Sequence, residues 1–358
     1  MKDLARWVME NAEKAGIPYV EFRGESSENE EIYLKNGIPE KIERRSSEGI
    51  GIRVLWEGSW GFASSPVVGK RSAGALLRQA LQLAQEAQKT QNEPDKLDDS
   101  PLADSDYITP VKEDPFRISL DEKIGILQEA HKQMMKAKEI VFTEGWIRCW
   151  RRKIWLQVTR SNPLYQEITA CGGGISAYAS DGIELQRRSH PASHGGNFHT
   201  AGWEFVRSLN IPEYAFPIAE EASALLSAPP TPEGNFYVVI GSAQMALQIH
   251  ESIGHPTELD RIFGSEISFA GGSWVTPDSI NSLRYGSEKL NIIGDSTVPG
   301  GLGTFGFDDE AVPAHAFPLI QHGILVNCLS SRETAWKIGK KSTACMRASG
   351  WNRIPLVR

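Results

Sequence analysis

The sequence has few cysteines and no apolar stretch long enough to cross a bilayer. Its 358 residues include four cysteines and no Cys-x-x-Cys pair, so we expect neither a disulfide framework nor a zinc ribbon. The longest nearly uncharged apolar run, residues 236–249, is shorter than the about 20 residues of a membrane-spanning helix. The first residues carry interspersed charges, unlike a signal peptide. We therefore expect a cytoplasmic protein with reduced thiols.

The chain also has fewer basic than acidic residues. The chain has 38 Lys and Arg against 45 Asp and Glu, which gives a formal net charge of −7. This balance argues against a nucleic-acid partner, which usually needs a basic face, and nothing indicates a membrane partner. The content of 40% hydrophobic and 23% charged residues is typical of a soluble globular protein, and the length predicts two or three domains.

Helical and strand periodicities alternate along the first part of the chain. Helices are predicted at residues 3–15 and 71–90, and a β-meander at residues 19–65 with turns at Asn36-Gly37 and Glu57-Gly58. The polar stretch 91–114, which contains three prolines, is interpreted as a linker or surface loop.

The same order of elements then recurs. A helix at residues 120–138, strands at 140–160 and 167–187, and a helix at 212–227 follow one another. This order indicates either an internal duplication or a composite sheet covered by helices on one face. Beyond the prolines of residues 229–232, we predict a short buried strand at 236–240, a helix, and a Gly-rich region of short strands.

The predicted fold class is therefore α+β. Helix-covered β-meander regions at residues 1–112 and 113–228, packed as one unit, would precede a β-rich metal-site domain at 229–358.

Two histidines and a glutamate lie within six positions at His250, Glu251 and His255. Imidazoles bind zinc, and a neighbouring carboxylate can take a proton from water on the metal. The plain alternative is that His250 is an ordinary helix residue and His255 an ordinary loop residue before Pro256. Spacing alone leaves both interpretations open.

The five-residue spacing of these histidines does not suit a regular α-helix. Positions four apart diverge by about 40° around the axis, whereas positions five apart diverge by about 140°. The imidazoles can converge if the helix widens into a π-turn, or if it unwinds at Gly254 before His255.

Three blocks of the sequence resemble the TldD/PmbA family, in particular its TldD-type metallopeptidases. The first is the HExxxH segment at residues 250–255, followed by Glu258 and Asp260. The second is GDSTVPGGLGTFGFDDE at residues 294–310, and the third is GIGIRVL at 49–55 with GSWGFAS at 58–64. The blocks occur in the family's order, and the resemblance covers essentially the whole chain.

The resemblance implies a zinc-dependent peptidase that hydrolyses unfolded or flexible peptides in the cytoplasm. His250 and His255 would bind Zn²⁺, and Glu251 would be the general base on metal-bound water. Glu258 and Asp260 are candidates for groups that orient the imidazoles. The family also implies a homodimer or a heterodimer with a paralogue.

One feature of the family is expected to be absent from this chain. The resemblance implies a third ligand, a cysteine in a Gly-rich segment beyond residue 358, so the sequence is expected to be truncated at its C-terminus relative to the family. None of the four cysteines, at 149, 171, 328 and 345, lies in a segment that resembles the one bearing this ligand. Cys328 and Cys345 are expected to be core residues, and the alternative is that they serve as substitute ligands. Glu258, His315 or solvent would be substitute ligands. The alternative function is therefore a non-catalytic peptide-binding or partner subunit.

The glycines at Gly300, Gly301 and Gly303 do not fit a phosphate loop, since no Lys-Ser/Thr pair follows them. We interpret them as structural or substrate-facing positions, because glycine lets a peptide backbone come close. The acidic residues 308–310 that follow are predicted to form a solvated turn or a rim for an N-terminal amine.

Overall fold

The computed structural model describes residues 1–91, 93–268 and 270–358, and it confirms the α+β fold class. The helices of the first 228 residues are α1 (Lys2–Lys14), α2 (Lys70–Gln88), α3 (Leu120–Met134), α4 (Trp203–Ser208) and α5 (Ile211–Leu225). The strands are β1 (Tyr19–Lys35), β2 (Ile38–Trp56), β3 (Ser59–Ser65), β4 (Tyr107–Ile108), β5 (Ile140–Val158), β6 (Leu164–Ser180), β7 (Leu185–His190) and β8 (Asn197–His199). A short 3₁₀ helix spans Pro115–Arg117.

These eight strands form one sheet in the order β3-β2-β1-β5-β6-β4, with β7 and β8 also paired to β6. Strand β1 joins the two helix–meander regions, because it pairs with β2 on one side and with β5 on the other. The structure therefore has the composite sheet, to which residues on both sides of position 112 contribute strands.

The turn between β1 and β2 has the backbone that its sequence predicts. Asn36 and Gly37 have φ values of 51° and 74°, and these two residue types tolerate the left-handed region best. The Asn36 carboxamide oxygen also accepts a hydrogen bond from the N–H of Thr143 at 3.0 Å. This bond ties the hairpin to β5.

Helices cover one face of the sheet. Helix α2 packs its buried face on apolar side chains of β1 and β2. The helix contributes Leu76, Leu77, Ala80 and Ala84, and the strands contribute Val20, Phe22, Ile50, Ile52 and Val54. Helices α3 and α5 pack over Ile32, Ile147 and Ile175. Alternation along the strands places Glu21 and Arg23 on the opposite face.

That opposite face is partly covered by the C-terminal domain through buried charges. Arg23 Nε donates to Asp309 Oδ1 at 3.0 Å, and Asp308 Oδ1 accepts from the N–H groups of Glu310 and Val312 at 2.9 Å. Asp308, Asp309 and Glu310 are all buried. The prediction of a solvated turn here is wrong, because these carboxylates are enclosed between the sheet and the domain that carries them.

The C-terminal domain contains short elements around a small core. Its helices are α6 (Ser242–Ile249), α7 (Leu259–Ile262) and α8 (Arg332–Lys337), with 3₁₀ turns at His255–Thr257 and Pro277–Ser279. Its strands are β9 (Ile292–Asp295), β10 (Ala316–Gln321), β11 (Ile324–Leu325), β12 (Met346–Arg347) and β13 (Leu356–Val357). They form a sheet in the order β11-β10-β9 and a separate β12-β13 pair.

One further sequence prediction needs correction. Residues 236–240 do not form a buried strand. The side chains of Tyr237 and Val239 are fully exposed, and no described strand pairs with this segment. The stretch 91–114, of which Asn92 lies outside the described residues, is a loop as predicted, apart from the two-residue strand β4. Asp98 within this loop is buried, and its Oδ2 accepts a hydrogen bond from the N–H of Ser342 at 2.6 Å, which ties the loop to the C-terminal domain.

Among the described residues, no helix combines the length and the apolar character that crossing a membrane requires.

Candidate metal centre

The backbone widens where the first candidate ligand occurs. Helix α6 ends at Ile249, and residues His250–Gly254 form a π-helical turn. The N–H of His255 bonds to the carbonyl oxygen of His250, five residues earlier, which defines this wider turn. Of the two routes by which the imidazoles can converge, the structure has the π-turn.

The π-turn brings the two imidazoles together despite their five-residue spacing. Their ring centroids lie 4.3 Å apart with an interplanar angle of 71°. One ligand atom each from His250, Glu251 and His255 fall within 4.8 Å of one another. Within the part of the chain that the structure describes, this is the one group of three such side chains placed to hold a metal ion.

Solvent access differs between these three side chains. The side chains of His250 and Glu251 are 59% and 60% exposed, whereas that of His255 is 28% exposed. His250 Nε2 and Glu251 Oε1 are 3.9 Å apart, so no hydrogen bond holds the carboxylate against the ring. Glu251 is therefore free to reach toward a small molecule beside the imidazoles.

His255 is held from behind by a buried carboxylate. Its Nδ1 lies 2.9 Å from Oε1 of Glu258, which is only 2% exposed. The other oxygen of Glu258 accepts from Arg261 Nε at 3.0 Å and from an Arg358 guanidinium nitrogen at 3.1 Å. Because a carboxylate accepts hydrogen bonds, this contact favours a hydrogen on Nδ1 and leaves Nε2 for a metal ion.

Asp260, the other residue predicted to orient an imidazole, points elsewhere. It accepts hydrogen bonds from the N–H groups of Arg261 at 2.8 Å and Val357 at 3.1 Å. No described hydrogen bond joins it to His250 or His255. Burial raises the pKa of Asp260 to about 6, the Val357 N–H opposes this rise, and the nearby Glu266 carboxylate adds to it. Asp260 therefore ties α7 to β13.

The candidate substitute ligands do not join the described cluster. His315 Nδ1 lies 3.0 Å from the carbonyl oxygen of Pro313. Both oxygens of Glu258 are already engaged. Cys328 and Cys345 are buried free thiols, and burial raises their pKa to about 12 and about 11, which disfavours the thiolate.

The Gly-rich segment forms one wall of a cavity of about 1010 Å³ between the sheet region and the C-terminal domain. The N–H and hydroxyl of Thr200 donate to the carbonyl oxygens of Gly300 and Gly301 at 3.0 and 3.1 Å. Tyr107, Ile108 and Phe205 contribute apolar surface to the other walls. Gly300 lines this cavity, whereas Gly301 and Gly303 do not.

Sequence reasoning did not identify the two arginines beside Glu258. Arg261 follows Glu258 by three positions, a spacing at which side chains on a helical turn meet, so a local signal existed. Arg358 is separated from Glu258 by 100 positions, and no local pattern indicates their contact.

The donors present fit a metal ion such as zinc. Imidazole nitrogens are common zinc ligands, and two converge here with a carboxylate beside them. The hydrogen bond from His255 to a carboxylate is also the usual support for a zinc-bound imidazole.

Comparisons with protein families agree with this site. Residues 233–358 match the model of the PmbA/TldA metallopeptidase C-terminal domain, and residues 20–84 match that of the PmbA/TldA metallopeptidase domain 1. A metalloprotease of Methanocaldococcus jannaschii is 28% identical over 340 residues, which cover 95% of this chain and 72% of that protein. A metalloprotease of Archaeoglobus fulgidus is 29% identical over 330 residues, or 91% of this chain and 70% of the relative.

Solved structures share the fold. A Thermotoga maritima protein described as a modulator of DNA gyrase superposes with a TM-score of 0.75 at 19% identity, covering 98% of this chain and 75% of its own. TldE from Thermococcus kodakarensis gives a TM-score of 0.68 at 17% identity, with coverage of 98% and 76%. At these identities the likeness concerns the fold alone.

Proposed function

Because the chain belongs to the PmbA/TldD family of metallopeptidases, we propose that it is a zinc-dependent peptidase acting on unfolded or flexible peptides. The observation that carries the proposal is the π-turn. It places His250 and His255 with their ring centroids 4.3 Å apart although their spacing does not suit a regular helix. π-helical turns within α-helices are rare, and they frequently occur at functional sites.

His250 and His255 would hold the metal, and Glu258 would fix the ring of His255. The short contact between His255 Nδ1 and Glu258 supports this assignment, since it leaves Nε2 of the ring as the free donor. Zinc, when bound, supplies a Lewis acid that polarises the scissile carbonyl and makes water more acidic.

Glu251 would be the general base. It follows a proposed ligand directly, and its carboxylate is exposed and within 4.8 Å of the imidazole donors without a hydrogen bond to them. It can therefore take a proton from the attacking water and give one to the leaving amine. A positioned carboxylate in this role contributes about 10²–10⁴-fold to the rate.

An extended peptide suits the openness of the site. Helix α6, which leads into the π-turn, has no buried residue, so a peptide backbone can approach it from solvent. We propose further substrate contacts at Gly300, which lines the cavity, and at Gly301 and Gly303, which belong to the same Gly-rich segment but do not line the cavity. Glycines without side chains let the peptide come close there.

The second candidate function is a peptide-binding or partner subunit without catalysis. It is favoured by the donor count: if Glu251 is the base, only two described ligands remain, whereas catalytic zinc normally has three. A partner is also supported by the exposed apolar residues 236–240 and by Met245 and Leu247 on α6. We propose that the chain forms a dimer, with itself or with a related subunit.

Cleavage of an unstructured, fluorescently labelled peptide by zinc-loaded protein tests the catalytic proposal, with Glu251→Gln as the variant. Loss of cleavage with zinc content retained is the expected result. Glu288→Gln, a change at an exposed carboxylate of the same domain, is the matched control. Equal cleavage by the Glu251→Gln variant would rule out Glu251 as the base. Peptide binding without cleavage by the zinc-loaded wild type would favour the binding subunit.

A further inference from the structure

Arg261 has an unusual concentration of contacts around one proposed ligand. Its side chain is 12% exposed, and its Nε donates to Glu258 Oε2 at 3.0 Å. One terminal nitrogen donates to the carbonyl oxygen of Ala270 at 2.8 Å, and the other lies 3.3 Å from Nδ1 of His255. We propose that Arg261 is a positioning residue that acts through Glu258 to set the hydrogen position of the His255 ring. This inference rests on the proposed function, in which His255 is a ligand.

The charges around Glu258 explain why a positioning group is needed. Three buried carboxylates, those of Glu258, Asp260 and Glu266, lie close together in this part of the domain. Among the described residues, two arginines, Arg261 and Arg358, form ion pairs with Glu258 and Glu266. A buried carboxylate without a nearby cation is costly, so these arginines offset charge that would otherwise repel across the cluster.

The two arginines do not have the same role. Arg358 reaches Glu258 and Glu266 but has no described contact with His255. Arg261 contacts Glu258 and His255 together, and the Ala270 carbonyl anchors its guanidinium from a third direction. A planar guanidinium held at three points fixes the direction of the Glu258 carboxylate, which a flexible ammonium group would do less well.

His255 Nδ1 can satisfy only one of its two neighbours. If it carries a hydrogen, it donates to Glu258 at 2.9 Å, and Nε2 presents its lone pair to a metal ion. If it carries none, it accepts from Arg261 at 3.3 Å, and the hydrogen on Nε2 blocks metal binding. The shorter contact favours the first state. Arg261 acts on both states: its terminal nitrogen at 3.3 Å is the donor of the second, whereas its Nε bond to Glu258 holds Oε1 against the ring in the first. At 3.0 Å the bond to Glu258 is the shorter of these two contacts, so the net effect of Arg261 favours the first state.

The test uses the full chain with Arg261→Met and Arg261→Lys, and Arg284→Met as the matched control. Arg284 is an exposed arginine of the same domain whose described hydrogen bond goes to the carbonyl oxygen of Gly286. The first readout is the ¹⁵N shifts of the His255 ring in the zinc-free protein at about pH 8, where an ordinary imidazole is neutral. These shifts report which nitrogen carries the hydrogen.

We expect His255 to carry its hydrogen on Nδ1 in the wild type and in the Arg284→Met variant. In Arg261→Met a clear fraction should move to Nε2, and zinc affinity, measured by competition with a chelator, should fall about 10–100-fold. Arg261→Lys should recover part of both, because lysine restores charge but not the planar fork. If Arg261→Lys recovers neither the hydrogen position nor the zinc affinity, while the Arg261→Met protein is folded, the loss in Arg261→Met does not come from positioning of Glu258.

An unchanged His255 hydrogen position in Arg261→Met would overturn the inference, even if the variant loses thermal stability. If Arg261→Met fails to fold, Arg261→Lys decides by the same ring shifts. If the wild type binds no zinc, the proposed function fails, while the ring shifts of the zinc-free protein still decide the role of Arg261.

Discussion

Nδ1 of His255 lies 2.9 Å from Oε1 of Glu258, and this contact determines which ring nitrogen faces away from the protein. The Glu258 carboxylate is buried and receives donors from three side chains, those of His255, Arg261 and Arg358. It is therefore a fixed acceptor and not a mobile surface charge. Because Nδ1 of His255 is bound to Glu258, Nε2 on the other side of the ring is the nitrogen left for a metal ion.

Replacing Glu258 with Gln should weaken zinc binding. An amide has one acceptor oxygen where the carboxylate serves three donors, so its NH₂ group must face either His255 or the arginines. We expect zinc affinity to fall about 10–100-fold, measured by competition with a chelator. Glu288→Gln, at an exposed position of the same domain, should leave the affinity unchanged. Wild-type affinity in Glu258→Gln would show that the carboxylate does not support the site.

Gly300→Ala should destabilise the protein more than Gly271→Ala does. The two glycines have φ values of 79° and 81°, a region in which an L-residue costs about 1–2 kcal/mol. A Cβ at Gly300 would lie 2.4 Å from Nδ1 of His199, whereas a Cβ at Gly271 meets nothing within 4 Å. The difference between the two unfolding free energies in urea therefore isolates the clash. Equal losses would mean that His199 gives way freely.

The buried carboxyl of Asp308 should make stability depend on pH. Burial raises its pKa to about 7, backbone N–H groups of Val312, Glu310 and Met346 oppose this rise, and the neighbouring Asp309 adds to it. The folded state therefore holds a proton that the unfolded chain has already released. The contribution of this group is present at low pH and is lost as the pH rises toward 7 and above.

Asp308→Asn should remove that dependence. Unfolding free energies at about pH 5 and about pH 8 should fall more in the wild type than in the variant, because only the wild type releases this proton. Asp278→Asn, at an exposed position, should keep the wild-type slope. A steeper fall in Asp308→Asn than in the wild type would reverse the assigned sign.

Much of the fold is encoded in local patterns. The stripe from Leu76 to Ala84 predicted α2, and Asn36-Gly37 predicted the first hairpin, since both depend on spacing and on the conformational freedom of single residues. The pairing of β1 with β5 depends on contacts between residues more than 100 positions apart. No periodicity within either strand indicates that partner.

In the candidate site, too, local sequence patterns predicted some features, whereas others depend on contacts with distant residues. The π-turn was one of two routes that the spacing of His250 and His255 allowed, and only the backbone of the structure distinguishes them. The acidic residues 308–310 have the sequence of a solvated turn but are buried by a distant sheet. The apolar residues 236–240 have the sequence of a buried strand but are exposed. Burial of a strand depends on a neighbouring strand, and the local sequence does not show whether one is present.

The most direct test of the account is the zinc content of the purified chain, measured by elemental analysis in the wild type, His250→Ala, His255→Ala and His322→Asn. His322 is exposed and has a φ of 47°, a conformation that asparagine tolerates, so its replacement is a matched control. We predict about one zinc ion per chain in the wild type and in His322→Asn, and loss of zinc in both other variants. Equal zinc content in all four proteins, or none in the wild type, would contradict a metal centre at the π-turn.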